Sequence, residues 1–216
     1  SSLTLPSNWR SHLKEILAVA KWTSIAALSL TVADNLDILI VQSLMSSYDA
    51  GIWSGAVRIA TFANLIGWSI GSVLNIRVAR YSESHHLSQY LKKTWKISLA
   101  IFLLVLLSLP LAKLAIVYTI GGSYLAATGT LQILLFSIAI AGATVPYIAL
   151  FYVLDSPQYY AISGVIQIAL LIAGDFYAIP LFGLTGSAWV RVITRVVLLV
   201  FTLLYVRRAY RSHIAT

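Results

Sequence analysis

Five residues could do chemistry from within otherwise apolar stretches: Asp34, Asp37, Arg58, Arg191 and Arg195. Asp34 and Asp37 stand three apart and Arg191 and Arg195 four apart, so each pair shares one face of a helix. An ionisable residue at membrane depth costs about 2.5–3.5 kcal/mol on insertion scales, so it marks a function or a partner. A guanidinium is planar, permanently charged and suited to bidentate binding of phosphate or carboxylate. One chemistry is therefore a hydrated cavity in which the arginines hold an anionic substrate. The acids would then tune the arginines or carry a coupling proton or cation. The opposing reading is structural, with acids and arginines cancelling pairwise and holding the helices together.

The elements that must position these residues follow from counting along the chain. Residues 32–60 form an apolar hairpin, with Tyr48, Asp49 and Gly51 as the breakers of a short turn. Asp37 lies eleven residues before Tyr48 and Arg58 ten after it, so a salt bridge across the hairpin is expected. Asp34 and Arg195 fall at similar depth in their spans. Asp175 falls near the outer mouth of its span, within reach of Arg191.

Apolar residues make up 59% of the 216 positions and charged ones 10%, a balance that cannot cover a soluble surface. Uncharged runs at 59–76, 97–112, 114–154 and 156–174 are each about as long as a bilayer crossing requires. The fold expected is all-α: a polytopic membrane protein with a six-helix bundle over 18–206. Its spans lie at about 18–45, 51–76, 97–117, 127–153, 158–178 and 184–206. A lead-in at 1–17 and a basic tail at 207–216 flank the bundle, both cytoplasmic.

Span two carries small residues at i+4 steps, among them Gly51, Gly55, Ala63, Gly67 and Gly71, which favours close helix packing. Pro110 is expected near the far end of span three, and Gly142 to Pro146 are expected to break span four. Residues 81–96 read as an amphipathic connector on the membrane surface. Its adjacent His85 and His86 point about 100° apart on a helix and suit solvent better than a metal. Neither metal nor cofactor is expected. No HExxH or phosphate-cradling glycine loop is present, so an enzyme is disfavoured.

Charge sets the orientation. Eleven basic residues (Arg10, Lys14, Lys21, Arg77, Arg80, Lys92, Lys93, Lys96, Arg207, Arg208 and Arg211) fall on the side of the termini, against Lys113 on the other. Both termini are therefore expected in the cytoplasm, with the chain multi-pass in the cytoplasmic membrane. The net charge of +8 lies beside hydrophobic spans, which points to lipid headgroups and away from nucleic acid. The absence of cysteine excludes disulfides and thiolate metal sites. A start at Ser-Ser-Leu-Thr, with no signal-peptide pattern, reads as the later part of a longer polypeptide.

Four stretches carry a family likeness, in order and at matching spacing from about Leu13 to Arg208. They are LKEILAVAKWTSIAALSLTVADNLDILIVQSL, SSYDAGIWSGAVRIATF, GGSYLAATGTLQIL and AIPLFGLTGSAWVRVITRVV. They resemble the segments leading into the seventh, eighth, tenth and twelfth helices of a flippase of the multidrug/oligosaccharidyl-lipid/polysaccharide exporter superfamily. The likeness is to the C-terminal half of its polysaccharide or O-antigen type. The chain departs from the pattern at Ser187-Ala188-Trp189, where small residues usually follow the glycine. Arg191 and Arg195 lie outside the general pattern, so their role is read from chemistry alone.

The resemblance implies one half of a pseudo-symmetric transporter of 12 or more helices, working by alternating access with an N-terminal six-helix half as partner. It also implies an isoprenoid-(pyro)phosphate-linked saccharide as substrate. The phosphate would go to Arg58, Arg191 and Arg195, and glycan hydroxyls to Asn64 and Asn75 or to Tyr147 and Tyr152. Asp34, Asp37 and Asp175 would serve coupling or charge pairing. A cation-coupled multidrug antiporter and a non-transporting membrane scaffold are the alternatives. Taken alone, such a half would expose its inner face, and is expected to be unstable or to dimerise.

Overall fold

The computed structural model describes residues 9–78, 84–153 and 157–214. Every element among the described residues is helical: five long helices, one short one and two 3-10 turns. They are α1 (Trp9–Leu44), α2 (Ser47–Val78), α3 (Ser84–Leu106), α4 (Ala112–Thr119), α5 (Thr128–Val153) and α6 (Pro157–Ile214). Among the described residues four segments are long and apolar enough to cross a membrane: Ala20–Leu44, Thr94–Thr119, Gly122–Ile148 and Gln158–Arg208. Large apolar side chains face outward, including Phe62, Trp68, Leu107 and Tyr118, as suits hydrocarbon surroundings better than water.

The turn between α1 and α2 comes earlier than the breakers Tyr48, Asp49 and Gly51 imply. Only Met45 and Ser46 separate the helices. Ser46 caps α2, its Oγ accepting from the Asp49 backbone N–H at 3.2 Å, while Asp49 Oδ2 accepts from the Ser46 N–H at 3.3 Å. This reciprocal capping satisfies two backbone donors and starts the helix before Tyr48. The shift leaves Arg58 about four residues, or about 6 Å of rise, further from the turn than Asp37.

Long α6 is two helices joined at Gly183, whose φ of 59° and ψ of −144° lie where only glycine sits readily. The arms fold back on each other. A Cβ built on Gly174 would stand 2.5 Å from Val190 Cγ1, and one on Gly186 2.5 Å from the Ala178 carbonyl oxygen. Further along, the Tyr159 and Tyr205 rings meet at 4.3 Å. Glycine at these positions allows the backbone approach that substitutes for hydrophobic drive between helices in lipid.

Three other expectations change. The 97–117 span is interrupted at the 3-10 turn Leu109–Leu111, with Pro110 in its first turn, before α4 resumes. By contrast α5 runs unbroken through Gly142 and Pro146. α2, α3 and α6 all pack against it, and that packing holds the helix where proline alone would break it. The connector is not a separate surface helix either: from Ser84 onward it is the first part of α3. The side chains of His85 and His86 lie outside the described residues. On α2, Gly55 takes up Ile120 and Tyr124 closely, whereas Gly51 meets nothing within 4 Å. Gly67 and Gly71 lie outside the residues whose side chains are described.

α1 packs mainly on α6 and α2 mainly on α5, with little contact between α1 and α2. One core forms near the α1–α2 turn, where Trp53, Leu131, Leu134 and Ile116 are fully buried. At the far end Phe151 stacks on Tyr205 at 5.0 Å. The two consecutive helices are thus splayed, and the gap between them is roofed by neither.

Gly183→Ala places a Cβ in a glycine-only conformation and is expected to cost about 1–3 kcal/mol. Gly186→Ala, which collides with backbone, is expected to cost more. Thermal unfolding in detergent measures both, and unchanged midpoints in the pair would contradict the fold-back.

Candidate functional site

The gap between α1 and α2 is a cavity of about 350 Å³. Arg58, Arg191, Arg195, Asn64 and Asp34 all line it, together with Asn35, Ser54, Thr61 and Ser137. Asp37 lies behind its wall, fully buried. Asp175 is fully buried too and does not line the cavity. It lies within electrostatic range of Arg191 and Asp37 and faces Ser187, yet neither its carboxylate nor the Ser187 hydroxyl makes a hydrogen bond of ordinary geometry. Tyr147 sits beside Ser98 of α3 and not on the cavity. The side chains of Asn75 and Tyr152 lie outside the described residues.

The arginines are held in three different ways. Arg191 is clamped. Its Nε and Nη2 donate to the two carboxylate oxygens of Asp37, the Nη2 bond at 2.7 Å, and Nη2 also donates to the Asp34 backbone carbonyl at 3.1 Å. Its guanidinium carbon lies 5.7 Å from the Trp53 ring centroid, within cation–π range. A bidentate pair of this kind, with side chains 13% and 0% exposed, fixes geometry strongly. It staples α1 to the second arm of α6.

Arg195 is tethered more loosely. Its Nη1 donates to Gln167 Oε1 at 3.2 Å, and its Nη2 reaches Asp34 Oδ1 at 3.4 Å. Asp34 is 44% exposed here, so the second contact contributes only about 0–1 kcal/mol. Behind Arg195 a smaller cavity of about 60 Å³ is lined by Leu30, Ile148 and Leu198 together with Thr144, Ser163 and Thr202.

Arg58 is free. The bridge expected to Asp37 does not form, because the capped turn sets the two at different depths and Asp37 faces α6. Among the described residues Arg58 has no carboxylate or hydrogen-bond partner, and its side chain is exposed to the cavity. The cavity lining itself presents three arginines against one carboxylate, Asp34, while Asp37 and Asp175 lie buried behind the wall near Arg191. The exposed surface of the cavity therefore carries an excess of positive charge. That surplus in a partly enclosed, low-dielectric space favours a multivalent anion.

Counting along the chain thus brings together the three arginines, Asn64 and Asp34, and pairs Asp34 with Arg195 as their depth implied. It misses Gln167 and Trp53. Gln167 was visible as a polar residue within the uncharged run at 156–174. Nothing local marks Trp53 as a partner of Arg191, since their contact spans two distant helices. Among the described residues no cluster of His, Asp or Glu is arranged for a metal.

Asp37→Ala leaves the Arg191 guanidinium mostly buried without its carboxylate and is expected to cost about 3–5 kcal/mol. Replacing both residues by Leu is expected to recover most of that loss. Denaturation midpoints in detergent test this, and a double variant as unstable as the worse single one would refute the pairing. No known protein family, curated protein or solved structure matches the chain.

Proposed function

We propose that the chain is one half of a membrane transporter that flips an isoprenoid-(pyro)phosphate-linked saccharide across the cytoplasmic membrane for polysaccharide export. The arginines take the lipid-borne phosphate, and the chain performs no chemistry of its own. The observation that carries the reading is Arg58: an unpaired guanidinium on the same cavity as two further arginines. Pairwise neutralisation in a scaffold accounts for Arg191 and Arg195 and leaves Arg58 unexplained. A cationic drug would meet a cavity of the wrong sign.

Shape supports the same reading. A volume of about 350 Å³ is in the range of small-molecule sites and suits a pyrophosphate with a proximal sugar. The helices that wall it expose Leu28, Leu39, Phe62 and Leu65, against which an isoprenoid tail can lie. Asn64 is the cavity residue best suited to a glycan hydroxyl.

In this reading the bundle crosses the membrane six times. The 51 residues of Gln158–Arg208 extend about 76 Å as helix, more than twice the ~30 Å hydrocarbon core, so the fold-back at Gly183 divides them into two crossings. α2, at 32 residues, supplies another despite its polar face, because that face turns to the cavity. Both termini then face the cytoplasm, and an N-terminal six-helix half closes the open side by alternating access.

In cells whose surface polysaccharide depends on this protein, Arg58→Gln is expected to keep the protein level and lower exported glycan about tenfold or more. Arg191→Gln is expected to lower the protein level itself. Unchanged export with Arg58→Gln would overturn the reading.

A further inference from the structure

We propose that the Asp34 carboxylate occupies, on Arg195, the seat that the substrate's phosphate takes, and that the arriving anion displaces it. The inference rests on the anion-binding reading of the cavity and assigns Asp34 as the residue that sets its affinity.

The two carboxylates of α1 do different work although they stand one helical turn apart. Asp37 is fully buried and gives both oxygens to Arg191. Asp34 offers a single oxygen to Arg195, at 3.4 Å, from a side chain 44% exposed on the cavity. What holds α1 at this level is the Asp34 backbone carbonyl, gripped by Arg191 at 3.1 Å, together with Asp37. The Asp34 side chain can therefore swing away without loosening the helix. Arg195 also stays in place when Asp34 leaves, because Gln167 holds its other terminal nitrogen at 3.2 Å. An arginine kept in position by a neutral amide, and covered by a weakly attached carboxylate, is built for exchange.

A pyrophosphate wins that exchange. It brings more charge and more acceptor oxygens than one carboxylate, and it bridges Arg195 on α6 to the unpaired Arg58 on α2 across the same cavity. When the anion departs, Asp34 returns and restores Arg195's partner. The carboxylate thus lowers affinity by competition and shortens the occupied state, which a carrier needs and a scavenger does not. Arg58, with no competitor, supplies the attraction.

The test titrates inorganic pyrophosphate and farnesyl pyrophosphate into the purified full chain in nanodiscs by calorimetry. Asp34→Asn is nearly isosteric and leaves the grip on the α1 backbone untouched; Asp34→Ser is the second variant. Both are expected to tighten binding about three- to tenfold, a gain that disappears in an Arg195→Gln background. Equal tightening for the two probes assigns the seat to the anion itself, and tightening for farnesyl pyrophosphate alone assigns it to a lipid-borne phosphate. Wild-type binding with no tightening in either variant would overturn the exchange while leaving the anion site standing. Absence of binding in the wild type and in both variants would overturn the anion site and the exchange together.

Discussion

The fold depends on one buried ion pair, Asp37 with Arg191. Desolvating two charges is expensive, and the cost is offset only by good geometry and by satisfying the remaining donors. Here both carboxylate oxygens are used, the second Nη2 N–H of Arg191 goes to the Asp34 carbonyl, and the Trp53 ring lies by the guanidinium. The pair therefore specifies more than it stabilises. It fixes the rotation of α1 about its axis and its height against α6. Every other cavity residue on α1 follows from that: once Asp37 points to Arg191, Asp34 and Asn35 must line the gap.

Two backbone devices set what the ion pair can reach. The fold-back at Gly183 brings the second arm of α6 against the first, where Gly174 and Gly186 let the arms approach closely. That places Arg195 beside Gln167, twenty-eight positions away in sequence. At the other end the Ser46–Asp49 cap starts α2 immediately after α1. α2 leans on α5 while α1 leans on α6, so the consecutive helices part and leave Arg58 on the opposite wall of the cavity. A different turn length would rotate Arg58 out of it.

Helix content and apolar segments were legible because long uncharged runs admit little else. The reversal within Ile179-Pro180-Leu181-Phe182-Gly183 was legible from its proline and glycine, and the structure puts the break at the glycine. The arginine–aspartate cluster was legible from i,i+3 and i,i+4 spacing. What could not be read was partner choice. Counting matched Asp37 to Arg58 by depth, and a capping box that moved the turn by a few residues undid that match. Pro146 misled for a related reason: local chemistry favours a break there, and packing on three helices overrides it. Gln167 carried a signal only as an isolated polar residue, and its role depends on a contact made through the fold-back.

One strongly held arginine, one weakly held and one free, on two walls of a single space, have different physical uses. A cavity of fully paired charges would have no net attraction for an anion, and one of fully unpaired arginines would pull its helices apart and hold an anion too long. Repulsion between Arg191 and Arg195, one turn apart, is relieved by giving each an acid from the same turn of α1. Arg58 escapes that repulsion because it stands on another helix and faces solvent-accessible volume, where hydration lowers its cost. The surplus charge thus sits on the arginine least needed for folding. The separation lets substrate affinity vary through Arg58 and Asp34 without disturbing the Asp37–Arg191 staple on which the helix arrangement rests.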